Sequence, residues 1–375
     1  MRIEDVMRFL LLLAIGIVPP TAFADAIDDY VNGELKRQGV PGATIAVIKN
    51  GAPVKVQGYG LANVEHQVPA SRETIYQSGS VGKQFAAMAA LLLIEDGKMQ
   101  LDDPIAQHLP NCPESWKDIT VRHLLTHTSG IPDYTSVIDL TRDYTEDELL
   151  KKAQSLPLAF EPGTKWSYSN TGYAVLGFLE SKVAGKFYGD YLKERVFTPL
   201  GMTTARIINE ADIIPHRAAG YQYSFGKLKN QSWVAPRLNT TADGSLYVTI
   251  DDMIRWDAGL REGKLISRAN YEHMWTPVKT KDGKSHPYGF GWGLGKINGR
   301  LRQHHGGAWQ GFSTFIDRYP DDQVTVIVLM NCAPAILPIS YGARPGDLAR
   351  GILQLTSPEL VPQPKAKTDK PGVKP

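Results

Sequence analysis

The chain has 375 residues, 42% of them apolar, and Lys+Arg 41 against Asp+Glu 39 leaves a formal net charge of +2. That length and apolar content suit a large buried core in one big domain or two lobes, and the lack of a basic run in the body excludes a nucleic-acid surface. Its two cysteines, Cys112 and Cys332, have no disulfide or metal spacing and read as separate buried or isolated thiols.

In chain order, residues 9–18 are an unbroken apolar run followed by Pro19-Pro20 and Ala22-Phe23-Ala24. This is the pattern of an export signal over residues 1–24, cleaved before Asp25, and it implies a periplasmic or secreted protein. Ten apolar residues are short for a bilayer span, so no permanent membrane anchor is expected. Arg2, Glu4, Asp5 and Arg8 cancel, and a start at Met7 instead of Met1 gives a cleaner basic n-region.

Residues 26–38 follow the period of an amphipathic helix, and 42–49 with 54–59 alternate as strands around the hairpin signal Asn50-Gly51. A long apolar helix begins at Ser80, with Gly97 as its stop. A mostly helical lobe over about 98–285 contains helix patterns at 146–156, 172–183 and 187–196. Strand patterns return at 288–294, 300–305, 312–319 and 324–330, and 339–355 can close the fold as a helix. The expected class is therefore α/β (α+β). An antiparallel sheet from the N- and C-terminal segments is flanked by helices, with the helical lobe inserted, in one domain over 25–356. Residues 357–375 are rich in Pro and Lys and read as a disordered tail.

The chemistry concentrates in three short motifs. Ser80-Val81-Gly82-Lys83 sets a hydroxyl and an amine three residues apart at a helix start. There they share a face, and the helix N-terminus favours a developing oxyanion. A lysine held against other groups can take the serine proton and create a nucleophile. About one Ser-x-x-Lys is expected by chance in a chain of this length. Ser224-Phe225-Gly226-Lys227 is such a match, and its surroundings read as a loop. Tyr168-Ser169-Asn170 precedes a helix, where tyrosine can relay a proton and the amide can hold both lysine and substrate. Tyr30-Val31-Asn32 has the same spacing but lies in the first helix with no such surroundings. His305-Gly306-Gly307 ends a strand whose glycines allow another backbone or a ligand to approach. Such an edge can give an oxyanion a second N–H.

In this order the motifs resemble the serine β-lactamase and penicillin-binding-protein superfamily, and more narrowly its class C β-lactamase-related esterases and D-amino-acid peptidases. The resemblance spans roughly residues 38–333. It includes Asp102-Asp103-Pro104-Ile105, Leu124-Leu125-Thr126-His127-Thr128-Ser129-Gly130, Phe160-Glu161-Pro162-Gly163 and His305-Gly306-Gly307-Ala308-Trp309. It implies the β-lactamase/transpeptidase-like fold and a hydrolase with Ser80 as acylated nucleophile. Lys83 is then its proton partner and Tyr168 the acid/base that activates the deacylating water. Asn170 positions Lys83 and the substrate amide, while the N–H groups of Ser80 and Ala308, after Gly307, form the oxyanion hole. Small-molecule or peptide substrates, peptidoglycan fragments among them, are the implied partners, with no cofactor and no metal.

Relatives that recognise penicillin often carry lysine where this chain has His305, and a neutral imidazole anchors a carboxylate less well. The sequence leaves three readings open: an ester or amide hydrolase, a D-alanyl-D-alanine carboxypeptidase/endopeptidase or class C-like β-lactamase, and a non-catalytic penicillin-binding sensor. Phe160, Trp166, Tyr221, Trp292 and Trp309 are candidate pocket walls. His123 and His127 have the spacing of zinc ligands, but without the glutamate of a metalloprotease they read as structural.

Overall fold

The computed structural model describes residues 26–335 and 341–362. The expected signal segment and the chain beyond 362 lie outside the described residues. Helix α1 (Ala26–Gln38) leads into strands β1 (Gly42–Lys49), β2 (Ala52–Asn63) and β3 (Val68–Pro69). The C-terminal part supplies β9 (Gly293–Ile297), β10 (Arg300–Trp309), β11 (Phe312–Tyr319) and β12 (Val324–Met330), then helix α9 (Pro345–Thr356). Together these strands form one seven-stranded sheet of order β3-β2-β1-β12-β11-β10-β9. The two ends of the chain meet where β1 pairs antiparallel with β12, Ala43 opposite Met330 and Lys49 opposite Val324.

Both faces of this central pair are covered, which is why its strands are apolar almost throughout. On one face Ile45, Val47, Val326 and Val328 pack with Val31 and Leu35 of α1 and Leu348 and Ile352 of α9. On the other, Ala46, Ile48, Ile327 and Leu329 join the larger core around α2 (Lys83–Glu95). Helix α2 is buried on every side from Lys83 to Leu93, so it runs through the interior.

Between the sheet halves lie α3 (Val121–Leu125), α4 (Glu146–Gln154), α5 (Asn170–Ala184), α6 (Tyr188–Leu192), α7 (Ile250–Glu262) and α8 (Arg268–Met274). Short strands accompany them: β4 (Tyr76–Gln77), β5 (Arg206–Ile207) and β8 (Leu246–Val248) form a three-stranded sheet, and β6 (Tyr221–Ser224) pairs with β7 (Lys227–Asn230).

Four expectations need correction. Residues 224–227 form a hairpin rather than a loop, because Phe225 and Gly226 both take positive φ (49° and 74°) and make a two-residue turn. The strand expected at 288–294 begins only at Gly293. Gly291 (φ 74°) lies so close to the Lys83 carbonyl that a Cβ there would be 2.8 Å away, and Tyr288 to Trp292 pack as a loop against α2. The third motif does not end its strand, since β10 continues through Trp309. The expected tail starts too early: Leu360 and Val361 are buried, and Asn298 Nδ2 donates to the carbonyls of Glu359 and Val361.

Candidate active site

Ser80 lies in a single 3₁₀ turn (Gly79–Gly82) that passes directly into α2 at Lys83. In a 3₁₀ turn residues i and i+3 eclipse, which brings the lysine over the serine. Lys83 Nζ is 3.2 Å from Ser80 Oγ, 2.8 Å from Asn170 Oδ1 and 2.5 Å from the Asp243 carbonyl oxygen, and the lysine is fully buried. Its neighbours are thus three oxygen atoms with no carboxylate among the hydrogen-bond partners.

Asn170 is the first residue of α5, after the N-cap Ser169, whose Oγ accepts from Gly172 N. Its own amide is oriented from behind. Asp133 Oδ2 accepts both Asn170 N and Nδ2 at 2.9 Å, which leaves Oδ1 to face Lys83. Tyr168 stands on the other side of the lysine, with Nζ 5.0 Å from its ring centroid. His127 (4.3 Å between centroids), Tyr288 and His305 surround the Tyr168 ring. His127 Nδ1 accepts from Ser169 N, and complete burial holds this imidazole neutral, well below the ordinary histidine range. His127 therefore supports Tyr168 through stacking, while His123 caps α3 through Nδ1.

Strand β10 runs past the nucleophile at backbone contact. A Cβ on Gly307 would be 2.1 Å from the Ser78 carbonyl and 3.0 Å from Ser80 N, and one on Gly79 (φ 50°) would be 2.4 Å from Ala308 N. Gly244 closes the third side, where a Cβ would be 3.1 Å from Ser80 N. Three glycines thus let the Ser80 and Ala308 amides share one small space. The cleft in front is lined by Ser80, Asn170, Asp243, Ala308 and Trp309 among others. Of the five aromatic residues considered as walls, Trp309 lines it. Tyr221 and Trp292 are core, Trp166 stacks on His286, and Phe160 packs against Gly130.

The sequence motifs leave out Asp133, Asp243 and Tyr288, while His127, read there as structural, packs on Tyr168. Asp133 lies three residues beyond the quoted Ser129-Gly130, and only the fold brings it to Asn170. Asp243 stands half-buried in the cleft wall, where desolvation raises its carboxyl pKa against the opposing pull of Lys83 and of Thr241, whose Oγ1 donates to it at 2.5 Å.

This fold, with a buried lysine behind a half-buried cleft serine and a glycine-lined strand beside them, has relatives. The Beta-lactamase family profile matches residues 24–339, and the chain belongs to that family. It is 32% identical to penicillin-binding protein 4* of Bacillus subtilis over 310 residues, covering 77% of this chain and 67% of that one. It is 30% identical to a D-aminopeptidase of Gluconobacter oxydans, covering 83% of this chain and 59% of the relative. The structure of the octameric penicillin-binding protein homologue from Pyrococcus abyssi superposes with a TM-score of 0.76 at 30% identity, covering 88% of this chain and 76% of that one.

Proposed function

We propose that the protein is an exported serine hydrolase that cleaves ester or amide substrates through an acyl-enzyme on Ser80. The observation that carries this reading is the environment of Lys83 Nζ. A neutral amine has two N–H bonds and one lone pair, and Asn170 Oδ1 and the Asp243 carbonyl can take the two hydrogens. The lone pair then faces Ser80 Oγ and can accept its proton as the oxygen attacks the substrate carbonyl. The resulting ammonium has three acceptors in place, so the proton transfer needs no rearrangement.

The tetrahedral oxyanion forms against the amides of Ser80 and Ala308, beneath Gly307. Tyr168, beside the lysine, passes the proton to the leaving group and later draws one from the hydrolytic water. Asn170 orients Lys83 and contacts the substrate amide. The D-aminopeptidase and penicillin-binding relatives support amide-bearing substrates, and the apolar run at 9–18 supports export.

Labelling tests the reading directly: a fluorophosphonate probe is expected to modify wild-type protein stoichiometrically and to fail on Ser80→Ala. Turnover of p-nitrophenyl acyl esters, a chromogenic cephalosporin and muropeptides then separates an esterase or peptidase from a β-lactamase or D-alanyl-D-alanine carboxypeptidase. A burst without steady turnover on all three identifies a sensor.

A further inference from the structure

Trp309 is the last residue of β10 and directly follows Ala308, whose amide shares a small space with that of Ser80. It is half-buried and lines the cleft, whose apolar surface comes from Trp309, Leu238, Leu140 and Tyr134, alongside polar groups such as Thr241 and Asp243. One edge of its indole is tied down from behind. Nε1 donates to Asn239 Oδ1 at 2.5 Å, and Asn239 Nδ2 donates to Glu210 Oε1 at 2.7 Å. An indole N–H can only donate, so the amide oxygen must face it, which leaves the amide NH2 for the glutamate.

Asn239 is fully buried, in the 3₁₀ turn Pro236–Thr240 that also supplies Leu238 to the cleft wall. Glu210 lies just beyond β5 and lines a separate polar cavity with Gln77 and Arg217. Three segments far apart in sequence thus meet in one chain of two hydrogen bonds. With no water to replace either partner, a buried amide matched donor for acceptor has one orientation, and it confers that orientation on the indole.

We propose that Asn239, itself held by Glu210, positions Trp309 as a fixed wall of the cleft, and that this wall selects substrates with an apolar acyl group. Trp309 adjoins the amide that holds the acyl carbonyl in both steps, so the acyl side of the substrate is the side assigned to it. An apolar acyl group leaves water against Trp309, Leu238 and Leu140, and a wall already fixed pays no ordering entropy when that group arrives. An acetyl group leaves most of this surface unused. The inference rests on the acyl-enzyme reading of Ser80. Trp309 makes the contact, whereas Asn239 and Glu210 act through it and are positioning residues.

Two esters with one leaving group test it: p-nitrophenyl acetate and p-nitrophenyl phenylacetate, each rate divided by that of its uncatalysed hydrolysis. Wild-type protein is expected to favour the phenylacetate by about tenfold or more in kcat/KM. Asn239→Ala is expected to remove most of that ratio, chiefly by raising KM for the phenylacetate. Asn239→Asp with Glu210→Gln keeps an acceptor for the indole and reverses the second hydrogen bond, so the pair is expected to restore the ratio. Asn239→Asp alone sets two carboxyl groups together and is expected not to restore it. In a Trp309→Phe background, which keeps a ring and removes the donor, Asn239→Ala is expected to change the ratio by less than about twofold.

A wild-type ratio near one overturns the proposal. So does an Asn239→Ala protein in which kcat falls alike for both esters at an unchanged ratio, because that is the signature of a displaced Ala308 amide. If Asn239→Ala does not fold, Trp309→Phe decides: a lowered ratio supports the wall, and the wild-type ratio overturns it. Absence of both fluorophosphonate labelling and ester turnover in wild-type protein overturns the acyl-enzyme reading instead, and this inference with it.

Discussion

Ser80-Val81-Gly82-Lys83 and Ser224-Phe225-Gly226-Lys227 spell the same pattern and have opposite surroundings. The first is a 3₁₀ turn packed under β10, with its lysine sealed among Ser80, Asn170 and Asp243. The second is the tip of a hairpin, where Ser224 and Lys227 pair across the turn, Phe225 is fully exposed and the lysine faces solvent. An amine in water holds no single orientation, whereas Lys83 Nζ is fixed against Ser80, Asn170 and Asp243. That packing is what distinguishes the first motif.

The largest test of this contrast is Ser80→Ala. Its ester turnover is expected to fall by roughly 10⁴-fold or more, while Ser224→Ala leaves the rate at the wild-type level. Equal loss in both variants would break the comparison. Next in size is Gly307→Ala, whose added methyl must displace the Ser78 carbonyl and shift one or both oxyanion amides. About 10²–10³-fold lower kcat is expected from steady-state kinetics, with little change in KM. Asp133→Ala removes the acceptor that orients Asn170, and a fall of about 10²-fold is expected because displacement of a catalytic group by an ångström has that cost. Restoring most of the rate with Asp133→Asn would show that the hydrogen bond, rather than the charge, is what Asn170 requires.

A smaller effect concerns stability and pH. The folded pKa of His305 is lowered from 6.5 to about 3, so between those values the unfolded chain holds a proton that the native protein does not. The stability it contributes is complete above pH 6.5 and is lost as pH falls below it, by at most about 1.4 kcal/mol per pH unit. His305→Gln is expected to flatten the decline of the denaturation midpoint between pH 6.5 and 4.5, measured by urea unfolding. The smallest expected effect is that of Lys227→Ala, with unchanged kcat/KM and a midpoint within error of wild type.

Much of this was legible in the sequence because it is local. The period of 26–38, the alternation at 42–49 and the strands at 312–319 and 324–330 correspond to the observed elements, and Ser80 with Lys83 meet as a three-residue spacing requires. What could not be read was set by contacts between distant segments. Asp133 matters because α5 begins beside it, and Asp243 because its carbonyl lands on a lysine 160 positions earlier. Tyr288 was assigned to a strand because alternation cannot reveal that Gly291 must lie against the backbone of α2. The split of one expected helix into a 3₁₀ turn and α2 was likewise invisible, since both satisfy the same apolar pattern.

The pairing of β1 with β12 also bears on when the molecule can act. The nucleophile and its lysine are synthesised in the first quarter of the chain, whereas the strand that flanks them lies beyond residue 299 and is locked in through β11 and β12. A nascent or partly threaded chain therefore carries its serine without the backbone amide of Ala308 or the wall that shelters the lysine. On the acyl-enzyme reading, such a chain is expected to stay silent until β10, β11 and β12 have paired.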